Sequence, residues 1–244
     1  MSGIRRRDVL KGTALALVGS SAAHGDVLSQ QLPWHPEAGD PPEAVKAGPW
    51  SYFTAAEAAA VEALVDRIIP PDSATPGGKD AGCAVFIDRQ LAGAYGRLAG
   101  LYTLPPFSKG IKQQGPQSAQ TPAELYRQGL GALDRYCRSG QDARPFAELS
   151  TGRQDEILQG LESGTVKLEG LEGTTFFEAL VKDVQQGFFA DPIYGGNRDM
   201  CAWKMIGFPG TRYDYRDWVG RHNERYPYPP VGIGGRPDWD PDKS

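Results

Sequence analysis

Apolar residues recur along this chain every three or four positions, the spacing that lines one face of a helix. Val61, Leu64, Val65, Ile68 and Ile69 follow Thr54-Ala55-Ala56-Glu57. That tetrad is a capping box, in which the Thr hydroxyl and the Glu carboxylate each satisfy an orphan amide. Pro70-Pro71 ends this first helix, because Pro lacks the N–H and clashes with the preceding turn. A second helix is predicted from about Asp80 to Leu98, with Cys83, Phe86, Ile87, Leu91, Ala94 and Tyr95 on one broad face. Thr121-Pro122-Ala123-Glu124 is another start signal, leading into Leu125, Leu130, Leu133, Tyr136 and Cys137 and stopped by Gly140. Thr151 opens a shorter helix carrying Ile157, Leu158 and Leu161. The cap pattern at residues 175–178 introduces Phe177, Leu180, Val181, Val184 and Phe188. Asn197 is placed to cap a brief helix with Met200, Trp203 and Ile206, which Gly207 ends. No stretch alternates persuasively with a period of two. The expected class is mainly α.

The polar and turn-forming positions shape the rest. Gly at 31 and Pro at 20 are high for an idealised bundle, so long irregular segments are expected between the helices. Residues 24–50, with Trp34, Pro41-Pro42 and Trp50, read as an extended arm or linker. The irregular helical domain spans 51–210, and its long polar stretch at 99–120 reads as a surface loop. From 211 to 244 the pattern changes again. Tyr213, Tyr215, Trp218, Tyr226, Tyr228 and Trp239 are scattered among prolines, glycines and charges. Such a tail cannot form a core alone, and its aromatics favour docking, either across its own domain or around a partner.

The first 23 residues carry an address. Arg6-Arg7-Asp8-Val9-Leu10-Lys11 has the form of a twin-arginine export motif. A weakly apolar stretch from Gly12 to Gly19 follows, then Ser21-Ala22-Ala23, with small residues suited to cleavage before His24. A short buried helix is the alternative, but position, Leu10, Lys11 and the small-residue site together favour export to the periplasm. Removal of residues 1–23 would take the net charge from −4 to −7. No stretch reaches the roughly 20 apolar residues a membrane span needs. The charge balance gives no reason to expect nucleic acid, which usually calls for a clustered basic face.

The most distinctive wording lies between Phe188 and Gly210. Phe188-Phe189-Ala190-Asp191-Pro192-Ile193-Tyr194-Gly195-Gly196-Asn197 is followed by Trp203-Lys204-Met205-Ile206-Gly207-Phe208-Pro209-Gly210. Specific turn residues alternate there with aromatics able to bury large areas. One reading is a turn-rich cap over the domain's own core; the other is a rigid surface built to meet another protein. On the second, the interface candidates are Phe188, Asp191, Pro192, Tyr194, Gly195, Gly196, Asn197, Trp203, Lys204, Gly207, Pro209 and Gly210.

The run resembles the gluconate 2-dehydrogenase subunit 3 family, the small or gamma subunits of periplasmic flavin-dependent sugar and sugar-acid dehydrogenases. Ile68-Ile69-Pro70, the Pro76-Gly77 turn and Phe86-Ile87-Asp88 extend the resemblance. One position departs: Cys201-Ala202 precedes Trp203 where the family pattern has Gly before the Trp. The resemblance implies a non-catalytic subunit bound to a large FAD-bearing partner of the glucose–methanol–choline type. It implies that electrons often leave through a cytochrome c subunit carrying haem c. It also implies that the small subunit supplies the twin-arginine signal, so that the folded large subunit is exported with it, matured and stabilised. Any membrane association would then be made through partner subunits.

Catalytic wording is sparse. Gly232-Ile233-Gly234-Gly235-Arg236-Pro237 comes nearest to a dinucleotide fingerprint, but it ends in Pro and sits outside any strand–helix unit. There is no Cys-x-x-Cys-His for covalent haem and no Gly-x-Ser-x-Gly elbow. His24, His35 and His222 lack ligand spacing, and the abundant carboxylates sit mostly in caps and on solvated faces. Cys83, Cys137 and Cys201 are an odd number, so at most one internal disulfide can form, and spacing does not say which. No catalytic, cofactor or metal residue is therefore named in this chain. The rival reading is a stand-alone periplasmic binding protein or enzyme whose site is not legible as a motif.

Overall fold

Six α-helices appear among the described residues, each along one of the apolar runs. They are α1 (Ala55–Ile68), α2 (Cys83–Ala92), α3 (Pro122–Ser139), α4 (Thr151–Glu162), α5 (Gly173–Phe189) and α6 (Cys201–Ile206). The structure, a computed structural model, describes residues 44–46, 48–101, 104–107, 110–111, 119–212 and 214–235. The chain divides into units 1–38 and 39–244, and all described residues belong to the second. The twin-arginine segment, most of the arm and the end of the tail lie outside the described residues. Within them there is no strand, only isolated bridges such as that between Gly210 and Val231. The fold is mainly α.

Both capping boxes close as their sequences require. The Glu57 carboxylate accepts the Thr54 N–H at 2.8 Å while the Thr54 hydroxyl accepts the Glu57 N–H. Thr121 and Glu124 repeat the arrangement at α3. Four boundaries differ from the sequence expectation, the first being the start of α2 at Cys83, after turns at 78–82, in place of Asp80. α2 stops at Ala92, not Leu98: Gly93 turns extended, and its N–H donates to the carbonyls of Arg89 and Gln90. Gly96 then folds back so that its N–H donates to the Gln90 carbonyl, which leaves Ala94 exposed. α4 is capped by Ser150, one residue before the expected Thr151. α5 begins at Gly173 behind Glu172, with no side-chain cap, so Thr175 lies inside its first turn. The buried face there includes Phe176, and Phe177 is only partly covered.

α5 is the central helix and touches each of the other five. Its buried side, Phe176, Leu180, Asp183, Val184, Gly187 and Phe188, has the period of an amphipathic helix. Burying a side chain such as Phe176, 0% exposed, stabilises the fold by about 1.5–3 kcal/mol. Two glycines set the approach of its neighbours. The Phe176 ring lies over Gly129 of α3, and Phe86 of α2 lies over Gly187, where a Cβ would come within 2.9 Å of the ring. Tyr126 packs edge-on against Phe176, with ring centroids 5.8 Å apart.

Two buried carboxylates organise this core. Asp88 accepts the backbone N–H groups of Ser51, Tyr52 and Phe53 at 2.8–2.9 Å and pairs with Arg89. It thereby fixes the chain's approach to α1. Asp183 accepts the hydroxyls of Tyr95 at 3.0 Å and Tyr126 at 2.9 Å. Burial outweighs those two bonds and holds the Asp183 carboxyl above its ordinary pKa.

Candidate functional site

At the end of α5 the chain enters a sequence of tight turns whose polar groups are satisfied locally. Asp191 accepts the Ile193 N–H at 3.0 Å, and Pro192–Tyr194 forms a single 3₁₀ turn. Gly195 follows at φ 91°, a conformation that L side chains disfavour. The arm reaches this turn as well, since the Val45 N–H donates to the Ile193 carbonyl at 2.8 Å. Gly196 is required for closeness: a Cβ there would overlap the carbonyl oxygen of Gly187 in α5.

Asn197 joins the two helices on either side of the turns. It is 0% exposed; its side-chain amide donates to the Ala190 carbonyl and its side-chain oxygen accepts the Ala202 N–H, both at 2.9 Å. Asn197 is not the N-cap of α6: that position falls to Met200, and Asn197 instead reaches the Ala202 N–H from across an intervening 3₁₀ turn at Arg198–Met200. That turn is strained. Asn197, Asp199 and Met200 all have positive φ, at 44°, 54° and 54°, and each such residue costs on the order of 1–3 kcal/mol. The Arg198 N–H bonded to the Ala81 carbonyl at 3.1 Å helps hold it.

α6 is a six-residue helix ended by Gly207 at φ 70°. Trp203 points inward, 4% exposed, and its indole N–H donates to the Phe189 carbonyl at 2.9 Å. Phe208 packs edge-on against it at 5.1 Å. Around this buried indole stand Phe189, Met205, Ile206 and Phe208, which are 43%, 48%, 57% and 42% exposed. One short helix cannot turn Trp203, Met205 and Ile206 inward together. Part of the apolar run therefore faces solvent, on a base fixed by Asn197 and Trp203.

The tail lies against the same region. Val231 donates to the Pro209 carbonyl at 3.2 Å, Thr211 donates to the Val231 carbonyl at 2.7 Å, and Ile233 donates to Asp191 at 2.7 Å. Between those ties Tyr226 is surrounded by the rings of Tyr215, Trp218 and Tyr228, with Arg212 over Tyr226 and Tyr228 at 5.3 and 5.5 Å. A groove of about 460 Å³ runs between Phe208 on one side and the Tyr226–Pro230 segment on the other, with Lys204 and Arg225 in its lining.

The twelve interface candidates thus divide by depth. Phe188, Asp191, Gly195, Gly196, Asn197, Trp203 and Gly210 are buried within this chain, and Pro192 and Pro209 are partly covered. Tyr194, Lys204 and Gly207 face solvent. The buried members set the shape of the surface from beneath. Its exposed apolar members Phe189, Met205, Ile206 and Phe208 lie in the run singled out from the sequence but not among the twelve candidates, although the crowding of Met205 and Ile206 with Trp203 into one six-residue helix was a usable signal.

No set of His, Cys, Asp and Glu side chains converges on a metal-sized site among the described residues. His222 is exposed in the tail. None of the described helices is long and apolar enough to cross a membrane. A family model, Gluconate 2-dehydrogenase subunit 3, matches residues 55–210, from the first residue of α1 to the Gly210 tie. The chain belongs to that family. The match encloses all six helices of this subunit 3 fold and stops where the tail begins. No curated protein and no solved structure matches the chain.

Proposed function

We propose that the chain is the non-catalytic small subunit of a periplasmic flavin-dependent dehydrogenase of the glucose–methanol–choline type. In this reading the large partner binds FAD and oxidises a sugar or sugar acid, and a cytochrome c subunit carries the electrons away. The small subunit supplies the twin-arginine signal at Arg6 and Arg7 and stabilises the large subunit during folding and export. The observation that carries this is the family match over 55–210, and the family's name, subunit 3 of a dehydrogenase, supports the reading. The exposed Phe189, Met205, Ile206 and Phe208, seated on a braced turn system, give it a surface suited to a large protein.

Co-expression with a flavin dehydrogenase of the glucose–methanol–choline type as candidate partner tests the proposal. Replacing Arg6 and Arg7 with Lys should strand both chains in the cytoplasm. Normal periplasmic activity of the dehydrogenase in that strain would exclude shared export. Dehydrogenase activity in the small chain purified alone would exclude the non-catalytic role.

A further inference from the structure

The groove between Phe208 and the Tyr226–Pro230 segment borders on the last described turn of the tail, because Pro209 and Pro230 line it and Val231 is bonded to Pro209. Its walls carry accessible rings: Phe208 is 42% exposed and Tyr228 58%. Lys204 and Arg225 stand in its lining and face solvent, and neither forms an ion pair among the described residues. Aromatic walls with two unneutralised cations suit an occupant that brings a large ring together with carboxylates.

The end of this same chain has that composition. Arg236-Pro237-Asp238-Trp239-Asp240-Pro241-Asp242-Lys243-Ser244 follows Gly235 and sets one indole among three acids. The last described residues also give the chain a direction. Gly232 and Gly235 form an antiparallel bridge, with the Gly235 N–H donating to the Gly232 carbonyl at 3.0 Å. Such a reversal sends the residues that follow back beside those that came before. Those are Val231 and then Pro230 to Tyr226, the wall of the groove. Stepping the pairing outward from the bridge sets Trp239 opposite Tyr228 and Asp242 opposite Arg225. Trp239 is four residues beyond Gly235, a reach of up to about 14 Å.

We propose that residues 236–244 fold back into this groove, with the Trp239 ring between Phe208 and Tyr228 and the acids around it neutralised by Lys204 and Arg225. Main-chain pairing does not hold the segment. Pro227, Pro229 and Pro230 on one side, and Pro237 and Pro241 on the other, remove amide donors. Side chains make the contact instead. The indole supplies most of the affinity by burying apolar area against two other rings. Ion pairs at an exposed rim add little affinity, but they fix the register and make the contact sensitive to salt. The short tether helps, since it presents the segment to its site at an effective concentration on the order of millimolar. In the isolated chain the groove is thus filled from within, and neither a second copy nor a partner occupies it.

The test uses the purified full chain labelled with 5-fluorotryptophan, the Trp239 fluorine resonance being the one lost in Trp239→Phe. That resonance should lie away from its position in the urea-unfolded chain and be shielded from broadening by a soluble gadolinium chelate. Lys204→Glu combined with Arg225→Glu changes two surface residues, and should move the resonance to the unfolded position and remove the shielding. Adding Asp238→Lys, Asp240→Lys and Asp242→Lys to that variant restores opposite charges and should restore both signals. Carbodiimide coupling of the wild type should join Lys204 to a carboxylate of residues 238–242 within a monomer. A wild-type Trp239 resonance at its unfolded position would overturn the proposal. So would a charge reversal without effect, or a cross-link found only between two copies. None of these readouts needs a dehydrogenase, so failure here leaves the proposed function standing.

Discussion

Gly196 lies so close to Gly187 that a side chain on the first would overlap the main chain of the second. The turn after α5 is therefore pressed against the helix it has just left. Gly196→Ala should force the two apart and cost about 1–3 kcal/mol, as overpacking does. Gly207 is a useful contrast, because it has φ 70° with nothing within 4 Å of a Cβ. Gly207→Ala should cost only about 1 kcal/mol, from left-handed backbone alone. Urea unfolding of the two variants gives the comparison; equal losses would mean that the close approach is not what constrains residue 196.

Asn197→Ala should be among the most damaging single changes in the turn system. It leaves the Ala190 carbonyl and the Ala202 N–H without their partner, at a cost of roughly 2–4 kcal/mol for two unsatisfied groups. Asn197→Asp keeps the acceptor for Ala202 and loses the donor to Ala190, so it should fall between wild type and Asn197→Ala. Thermal unfolding of the three proteins ranks them.

Trp203 and Ile206 separate folding from docking. Trp203→Ala removes a buried indole and should cost about 3–5 kcal/mol of stability. Ile206→Asp alters a side chain that is 57% exposed and should leave Tm nearly unchanged. If the apolar surface meets the dehydrogenase, the same change should weaken the complex by about 2 kcal/mol. Co-purification at wild-type yield would place the interface elsewhere.

Asp183 should give the protein a pH dependence opposite in sign to that of an ordinary paired carboxylate. Its folded pKa is raised above the reference value of 3.8, so between those two values the folded chain holds more protons than the unfolded one. Its contribution to stability therefore falls as pH rises from about 3.8 through the raised value, and is level above it. Glu57 acts the other way: burial pushes it up, but hydrogen bonds from Thr54 and Arg127 prevail and lower it. The difference in unfolding free energy between wild type and Asp183→Asn isolates the Asp183 part. It should decrease with rising pH in that window; a flat difference would mean that the carboxyl is not perturbed.

Where a structural decision was local, the sequence disclosed it. Thr54 with Glu57 and Thr121 with Glu124 bond within one turn, and both boxes stand where they were read. The errors at α2 and α5 arise where a local signal met a competing one. Apolar spacing carried α2 on to Leu98, but the paired glycines at 93 and 96 reverse the chain. Thr175 has the wording of a cap, yet Gly173 and Phe176 are already buried on the helix. Gly196 reads from the sequence as one turn residue among several, whereas close contact with Gly187 is what constrains it. The structural roles of Asp88, read only as part of a tripeptide, and of Asp183 were hidden for a different reason. Their partners lie 35–37 and 57–88 residues away in the chain, and nothing in the local wording distinguishes them from solvated acids. The export signal and the far end of the tail lie outside the described residues.

The tie between Thr211 and Val231 has a consequence for how this protein can vary. Because the segment leaves and returns at neighbouring points, no span fixes its length. Its aromatic cluster is a cassette: a change in its length should leave Asp191 and Trp203 where they are, because the ties at Thr211, Val231 and Ile233 lie outside it.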